Sequence, residues 1–173
     1  QLPGVPRAEL AARAELVRKA LAVFEKPPEV WELDGTTVGE TYPAQFDRIL
    51  LDAPCTGLGA LRRRPEARWR KQPSDVAGLG ALQAALLASG LAALKPGGLL
   101  AYVTCSPHAA ETKAIVASVL RKVPGVEKLD TPAVLQGLAG IAARFDTDSQ
   151  IALYLAPGVD PRAREHLSRT LRA

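Results

Sequence analysis

The sequence predicts an α/β fold with a mostly parallel sheet, and three observations carry that prediction. Strand-like apolar runs alternate with helix-like amphipathic stretches along the chain. Two of the runs, "ILL" at 49–51 and "LLAYV" at 99–103, are continuous rather than alternating, as expected of strands covered on both faces. Polar or reactive side chains recur where such runs end: Asp34, Asp52, Cys55 and Cys105. Ligands of open α/β sheets bind at the carboxyl ends of the strands. The pattern therefore places four chemically capable side chains along one sheet edge.

The elements follow in order. Residues 8–25 read as a helix, because Leu10, Ala14, Val17, Leu21 and Phe24 recur at three- and four-residue steps opposite a charged face. Pro27 and Pro28 stop it. "EVWELD" (29–34) reads as a short strand closed by the Asp34-Gly35 turn signal. "FDRILLDAP" (46–54) is a second, buried strand, and a basic loop follows it. "PSDVAGLGALQAALLASGLAAL" (73–94) is a helix with Ser74 or Asp75 as cap, ending at "KPGG" (95–98). "LLAYVTCS" (99–106) is the next buried strand, and "AAETKAIVASVLRKV" (109–123) an amphipathic helix. "VEKLD" (126–130) and "SQIALYLAP" (149–157) read as strands, and 161–173 as a short surface helix. Residues 131–148 carry no pattern that assigns them.

Composition narrows the class. A chain of 173 residues suggests one domain, able to bury about two-thirds of its unfolded surface. Apolar content of 47% and charged content of 23% are those of an ordinary globular protein. The net charge of +4 leans mildly toward a polyanionic partner. Two cysteines form neither a disulfide framework nor, alone, a zinc site, so a reduced, cytoplasmic setting is expected. The longest apolar windows are broken by Gly, Lys or Pro, so no transmembrane helix is expected. The N-terminus lacks the pattern of a signal peptide. The chain contains no methionine, which suggests a piece of something longer or a sequence that has lost residues.

Each candidate has a plain reading beside the functional one. A cysteine at a strand end is usually a small buried hydrophobe. Two of them at two strand ends, one beside an acid, instead suggest thiols facing one cleft, with a disulfide as the alternative. Asp52 in "DAPC" either caps a turn fixed by Pro54 or serves the site. Asp34 before Gly35 is, taken alone, a turn residue. His108 either pairs with Cys105 or starts a helix, the latter favoured by "SPH". Arg62, Arg63, Arg64, Arg68, Arg70 and Lys71 surround Trp69, with Glu66 the one acid among them. Such a run is often a solvated face, but arginine forks match phosphates and an interleaved aromatic stacks on bases. Nucleic-acid contact is the favoured reading.

The segments "DAPCTGLGALRRRPEARWRKQP" and "KPGGLLAYVTCSPHAAET" resemble the Sun (Fmu, RsmB) family of RNA cytosine-5 methyltransferases. The likeness runs from about residue 12 to about residue 125, and the pairing of "DAPC" with "TCS" is its specific part. The resemblance implies a Rossmann-like methyltransferase fold over residues 1–173, S-adenosyl-L-methionine as cofactor, and RNA, ribosomal RNA foremost, as partner. It implies that Cys105 is the nucleophile that adds to C6 of cytosine and that Cys55 assists release of the methylated base. Asp52 would hydrogen-bond the cytosine ring and also lie at the cofactor, and Asp34 would contact the cofactor adenine.

The sequence departs from that family at the cofactor loop and again in the C-terminal part, where the strand is present but the family's His-, Gly- and Asp-rich loop is not recognisable. The glycine-rich cofactor loop, of the form "APGGKT", has no counterpart, and Glu9 stands near the ribose-binding acid but off register. The expectation is a catalytic domain without its first two strands, with residues lost near 7–12 as the favoured explanation. The strand ending at Asp34 would then lack a natural partner. Two rivals remain at this level. One is a non-catalytic RNA-binding remnant that keeps the basic loop. The other is an amino-group methyltransferase, whose acid-x-Pro motif usually carries an aromatic where this chain has Cys55.

Overall fold

The structure, a computed structural model, describes residues 7–61, 65–70, 72–131 and 151–155. Among the described residues there are four α-helices and four strands: α1 (Arg7–Leu21), α2 (Val38–Thr41), β1 (Phe46–Asp52), α3 (Pro73–Ala93), β2 (Leu94–Val103), α4 (Lys113–Leu120), β3 (Glu127–Lys128) and β4 (Ile151–Leu155). The sheet order is β1-β2-β4-β3. β1 and β2 pair in parallel, with α3 as the crossover. β4 runs antiparallel to both of its neighbours, so β1, β2 and β3 share one direction and the mostly parallel expectation holds. The α/β class and the Rossmann-like reading stand.

The core lies between the sheet and the layer of α3 and α4. Leu87 and Leu91 of α3 meet Leu100 and Tyr102 of β2, with Val116 and Val119 of α4 closing the cluster. Each such aliphatic side chain contributes on the order of 1.5–3 kcal/mol by burial. Pro73 opens α3 at a position where a missing N–H costs nothing. Asp75 is not the cap itself; from the third position its carboxylate reaches back to the Gln72 N–H at 2.9 Å. By length and composition Ser74–Ala93 could cross a membrane, contrary to the expectation of no such segment. In this fold 28% of that window is buried, Gln83, Leu87 and Leu91 among the buried residues.

Several elements differ from the sequence reading. Residues 29–34 join no ladder, so "EVWELD" is not a strand. Trp31 instead stacks on Tyr42 at 4.9 Å between centroids, and Arg18 pairs with Glu32 at 2.8 Å. The first helix stops at Leu21, short of Phe24, and Val17 and Phe24 remain exposed. Leu50 is 74% exposed, so β1 is covered on one face only among the described residues. Outside β1 lies an apolar groove of about 340 Å³, lined by Trp31, Val38, Phe46, Ile49, Leu51 and Leu86 among others.

"KPGG" belongs to β2 rather than preceding it. The ladder runs Phe46↔Leu94 and then jumps to Arg48↔Leu99, a bulge that Gly97 permits with φ of 80°. The helix expected over 109–123 breaks at Thr112 into a 3-10 turn (Ala109–Glu111) and α4. The tail helix expected at 161–173, and residues 132–148, lie outside the described residues.

Candidate active site

Two adjacent parallel strands deliver their following loops to the same edge of the sheet, and this is how the site is built. Asp52, the last residue of β1, is in register with Val103, the last of β2. The Ala53 N–H donates to the Val103 carbonyl at 2.9 Å, and the Gly59 N–H donates to the Cys105 carbonyl at 2.9 Å. The loops are thus tied together on both sides of Cys55. Cys55 Sγ lies 3.2 Å from Cys105 Sγ, and both thiols are free. The disulfide alternative is not what the structure holds.

The two thiols differ in environment. Cys55 is half-buried and Cys105 exposed. Burial first, and then the hydrogen bond from the Cys105 side, push the Cys55 thiol up to about 11, against a lowering by the Gly57 and Cys105 backbone amides. Cys55 therefore keeps its proton at neutral pH. Gly57 holds the left-handed conformation at φ 71°, and a Cβ there would come to 3.8 Å from Cys105 Sγ.

A buried polar network lies behind the pair. Glu111 is fully buried and accepts from the Thr56 N–H at 2.8 Å, from the Thr56 hydroxyl, and from Gln83 Nε2 at 3.3 Å. Gln83 Nε2 also donates to the Pro54 carbonyl at 2.8 Å. Thr56 and Ser106 hydroxyl oxygens sit 3.3 Å apart. The Tyr102 hydroxyl donates to the Glu111 carbonyl at 3.0 Å. Burial works to raise the Glu111 carboxyl, yet hydrogen bonds from Ser106, Thr56 and Gln83 outweigh it and hold the group below its ordinary value.

The remaining candidates fall as follows. Asp52 is exposed at the end of β1. Asp34 does not end a strand, as the sequence reading held. Its carboxylate caps a 3-10 turn, accepting from the Thr36 N–H at 2.9 Å and hydroxyl at 2.7 Å. Gly35 abuts Leu86, and Gly39 abuts Ser89 and Ala92, so this segment runs toward the C-terminus of α3. His108 is a turn residue: its Nδ1 accepts from the Ala110 N–H at 3.2 Å. Of the basic loop, Pro65–Arg70 form a 3-10 helix on which Trp69 is 81% exposed and Arg70 exposed. Arg62, Arg63, Arg64 and Lys71 lie outside the described residues, as does the side chain of Arg68.

Glu111, Thr56, Gln83 and Ser106 were not singled out from sequence. Glu111 sits in "AAETK", where an acid at the start of an amphipathic helix reads as surface. The usable signal was adjacency: Thr56 and Ser106 each directly follow a cysteine.

Comparison with known proteins bears on this arrangement. The profile of the family "16S rRNA methyltransferase RsmB/F" matches residues 9–157. The chain is 36% identical over 137 residues to the ribosomal RNA small subunit methyltransferase B of Serratia proteamaculans, covering 75% of this chain and 32% of that one. Over 86 residues it is 64% identical to a Mycobacterium tuberculosis protein whose name describes a methyltransferase without a substrate, covering 50% of this chain and 19% of that one. The crystal structure of NSun6 from Pyrococcus horikoshii with SFG superposes with a TM-score of 0.57 at 28% identity, covering 72% of this chain and 30% of that one. The matched part of this chain thus spans a third or less of the relatives' own length.

Proposed function

Because this chain belongs to the 16S rRNA methyltransferase RsmB/F family, we propose that it carries the cysteine pair of an S-adenosylmethionine-dependent cytosine-5 methyltransferase acting on ribosomal RNA. In this reading residues 1–173 form part of the catalytic domain. The supporting observation is the 3.2 Å separation of Cys55 Sγ and Cys105 Sγ at the carboxyl edge of a parallel strand pair.

The chemistry requires two different thiols. C5 of cytosine is a poor nucleophile until a thiolate adds to C6 and delivers an electron pair to the ring. Cys105, the exposed thiol, is the one that reaches a base. Asp52, as a carboxylate, accepts from the exocyclic amine of the cytosine ring and holds the base over Cys105. The sulfonium cofactor supplies the methyl group. The C5 proton then leaves to a base, the C5–C6 double bond re-forms, and the C6–S bond breaks to return the Cys105 thiolate. Cys55 takes part in this release. Its thiol is held protonated partly by Cys105; once Cys105 is a thioether that cause is gone, the Cys55 proton passes more readily to solvent, and the thiolate so formed takes the C5 proton.

The residues present suit the cofactor in kind. Asp34 and Asp52 are exposed carboxylates, and both match a ligand carrying a cationic sulfonium and an adenine amine. A relative was solved with SFG, an analogue of S-adenosylmethionine. Trp69 and the arginines Arg62, Arg63, Arg64, Arg68 and Arg70, with Lys71, hold the RNA strand beside Cys55.

The test is methyl transfer from labelled S-adenosylmethionine to ribosomal RNA, followed by digestion to nucleosides. Label in 5-methylcytidine is the expected result. Label in N4-methylcytidine points to the amino-group rival. Salt-sensitive RNA binding without transfer points to the RNA-binding remnant.

A further inference from the structure

We propose that Glu111 is a positioning residue that sets the separation of the two thiols. Its kinetic consequence rests on the cysteine-pair reading above; its geometric consequence does not.

The bonds of this one side chain land next to both cysteines. Thr56 follows Cys55 and gives Glu111 both its N–H, at 2.8 Å, and its hydroxyl. Ser106 follows Cys105, and its hydroxyl lies 3.3 Å from that of Thr56. The Glu111 backbone is itself fixed, its carbonyl accepting from Tyr102 on β2 at 3.0 Å. Gln83 joins α3 to the same carboxylate and to the Pro54 carbonyl, the residue before Cys55. Glu111 therefore connects the loop after β1, the loop after β2 and helix α3.

The residue type follows from the partners. The Thr56 N–H, the Thr56 hydroxyl and the Gln83 amide all donate, so the site requires a group that only accepts. A glutamine would turn an NH2 toward donors. A buried carboxylate is costly to desolvate and is tolerated only when fully hydrogen-bonded. A purely structural plug at this place would be cheaper as a hydrophobe.

The experiment compares the whole chain with Glu111→Gln, Thr56→Val and Thr56→Ser. Thiol separation is read from the rate of intramolecular Cys55–Cys105 disulfide formation under diamide, a dithiol oxidant, after each protein is shown to be folded by its thermal transition. Glu111→Gln and Thr56→Val are expected to slow closure about tenfold or more, and Thr56→Ser, which keeps the hydroxyl, to restore it. In the methylation assay kcat is expected to fall about 10²-fold with little change in the KM for RNA, the size of effect that about 1 Å of misplacement produces. Wild-type closure rates in folded Glu111→Gln overturn the proposal. If Glu111→Gln does not fold, equal closure rates in Thr56→Val and Thr56→Ser overturn it. If the unaltered chain transfers no methyl group, the proposed function fails while the closure rates still decide the role of Glu111.

Discussion

Cys55 and Cys105 are fifty positions apart, yet their sulfurs lie 3.2 Å from each other. The cause is the register of two parallel strands, in which Asp52 faces Val103 and each strand feeds a short loop at the same edge. Neither cysteine holds this geometry alone. Backbone bonds across the loops and the buried Glu111 network fix it from behind.

The asymmetry of the pair predicts a pH dependence. Folding raises the Cys55 thiol from 9.0 to about 11. Folding thus favours the protonated form, so its contribution to stability is complete below pH 9 and is lost as pH rises toward 11. The melting temperature of the wild type is expected to fall over that window relative to Cys55→Ser. Alkylation at neutral pH is expected at the exposed Cys105 first, as peptide mapping would show.

Gly39→Ala is expected to destabilise the fold by about 1–3 kcal/mol through overpacking. A Cβ at Gly39 would come to 2.4 Å from the Ser89 carbonyl oxygen and 2.7 Å from Ala92 Cβ. The Gly39 N–H also donates to Ser89 Oγ at 2.9 Å. Denaturant unfolding measures the loss.

The two leucines of the sheet are expected to separate sharply. Leu100 is fully buried against α3, so Leu100→Ala is expected to cost about 2–5 kcal/mol. Leu50 is 74% exposed, so Leu50→Ala is expected to fall within about 0.5 kcal/mol of wild type. Chemical denaturation of both variants checks whether the Leu50 face of β1 is open.

Trp69 is 81% exposed on its 3-10 helix, and in the proposed function it stacks on a base. Trp69→Ala is expected to weaken RNA binding by about 1–3 kcal/mol. Arg70→Ala is expected to weaken it with a shallower dependence on salt. Filter binding across a salt series distinguishes the two.

What was legible in the sequence was the part governed by local pattern. The continuous apolar runs located β1 and β2, and the cap signal at Ser74–Asp75 with the stop at "KPGG" located α3. The strand ends located the cysteines, because parallel neighbours share an edge. What local pattern could not supply was partnership. "EVWELD" has strand chemistry but no ladder to join. Leu50 has a core residue's chemistry but faces a side that is uncovered among the described residues. "KPGG" reads as a stop, yet its glycines let β2 bulge and continue. Glu111 reads as a surface acid, and only the meeting of two loops and a helix makes it buried.

The central claim is that Cys105 attacks the base and Cys55 releases it. The most direct measurement is covalent trapping of RNA in the presence of S-adenosylmethionine, comparing wild type, Cys55→Ala, Cys105→Ala and the double variant on denaturing gels. The account predicts a protein–RNA adduct that accumulates with Cys55→Ala and is absent from both proteins lacking Cys105. An adduct with Cys105→Ala, or undiminished methylation by that variant, would contradict it.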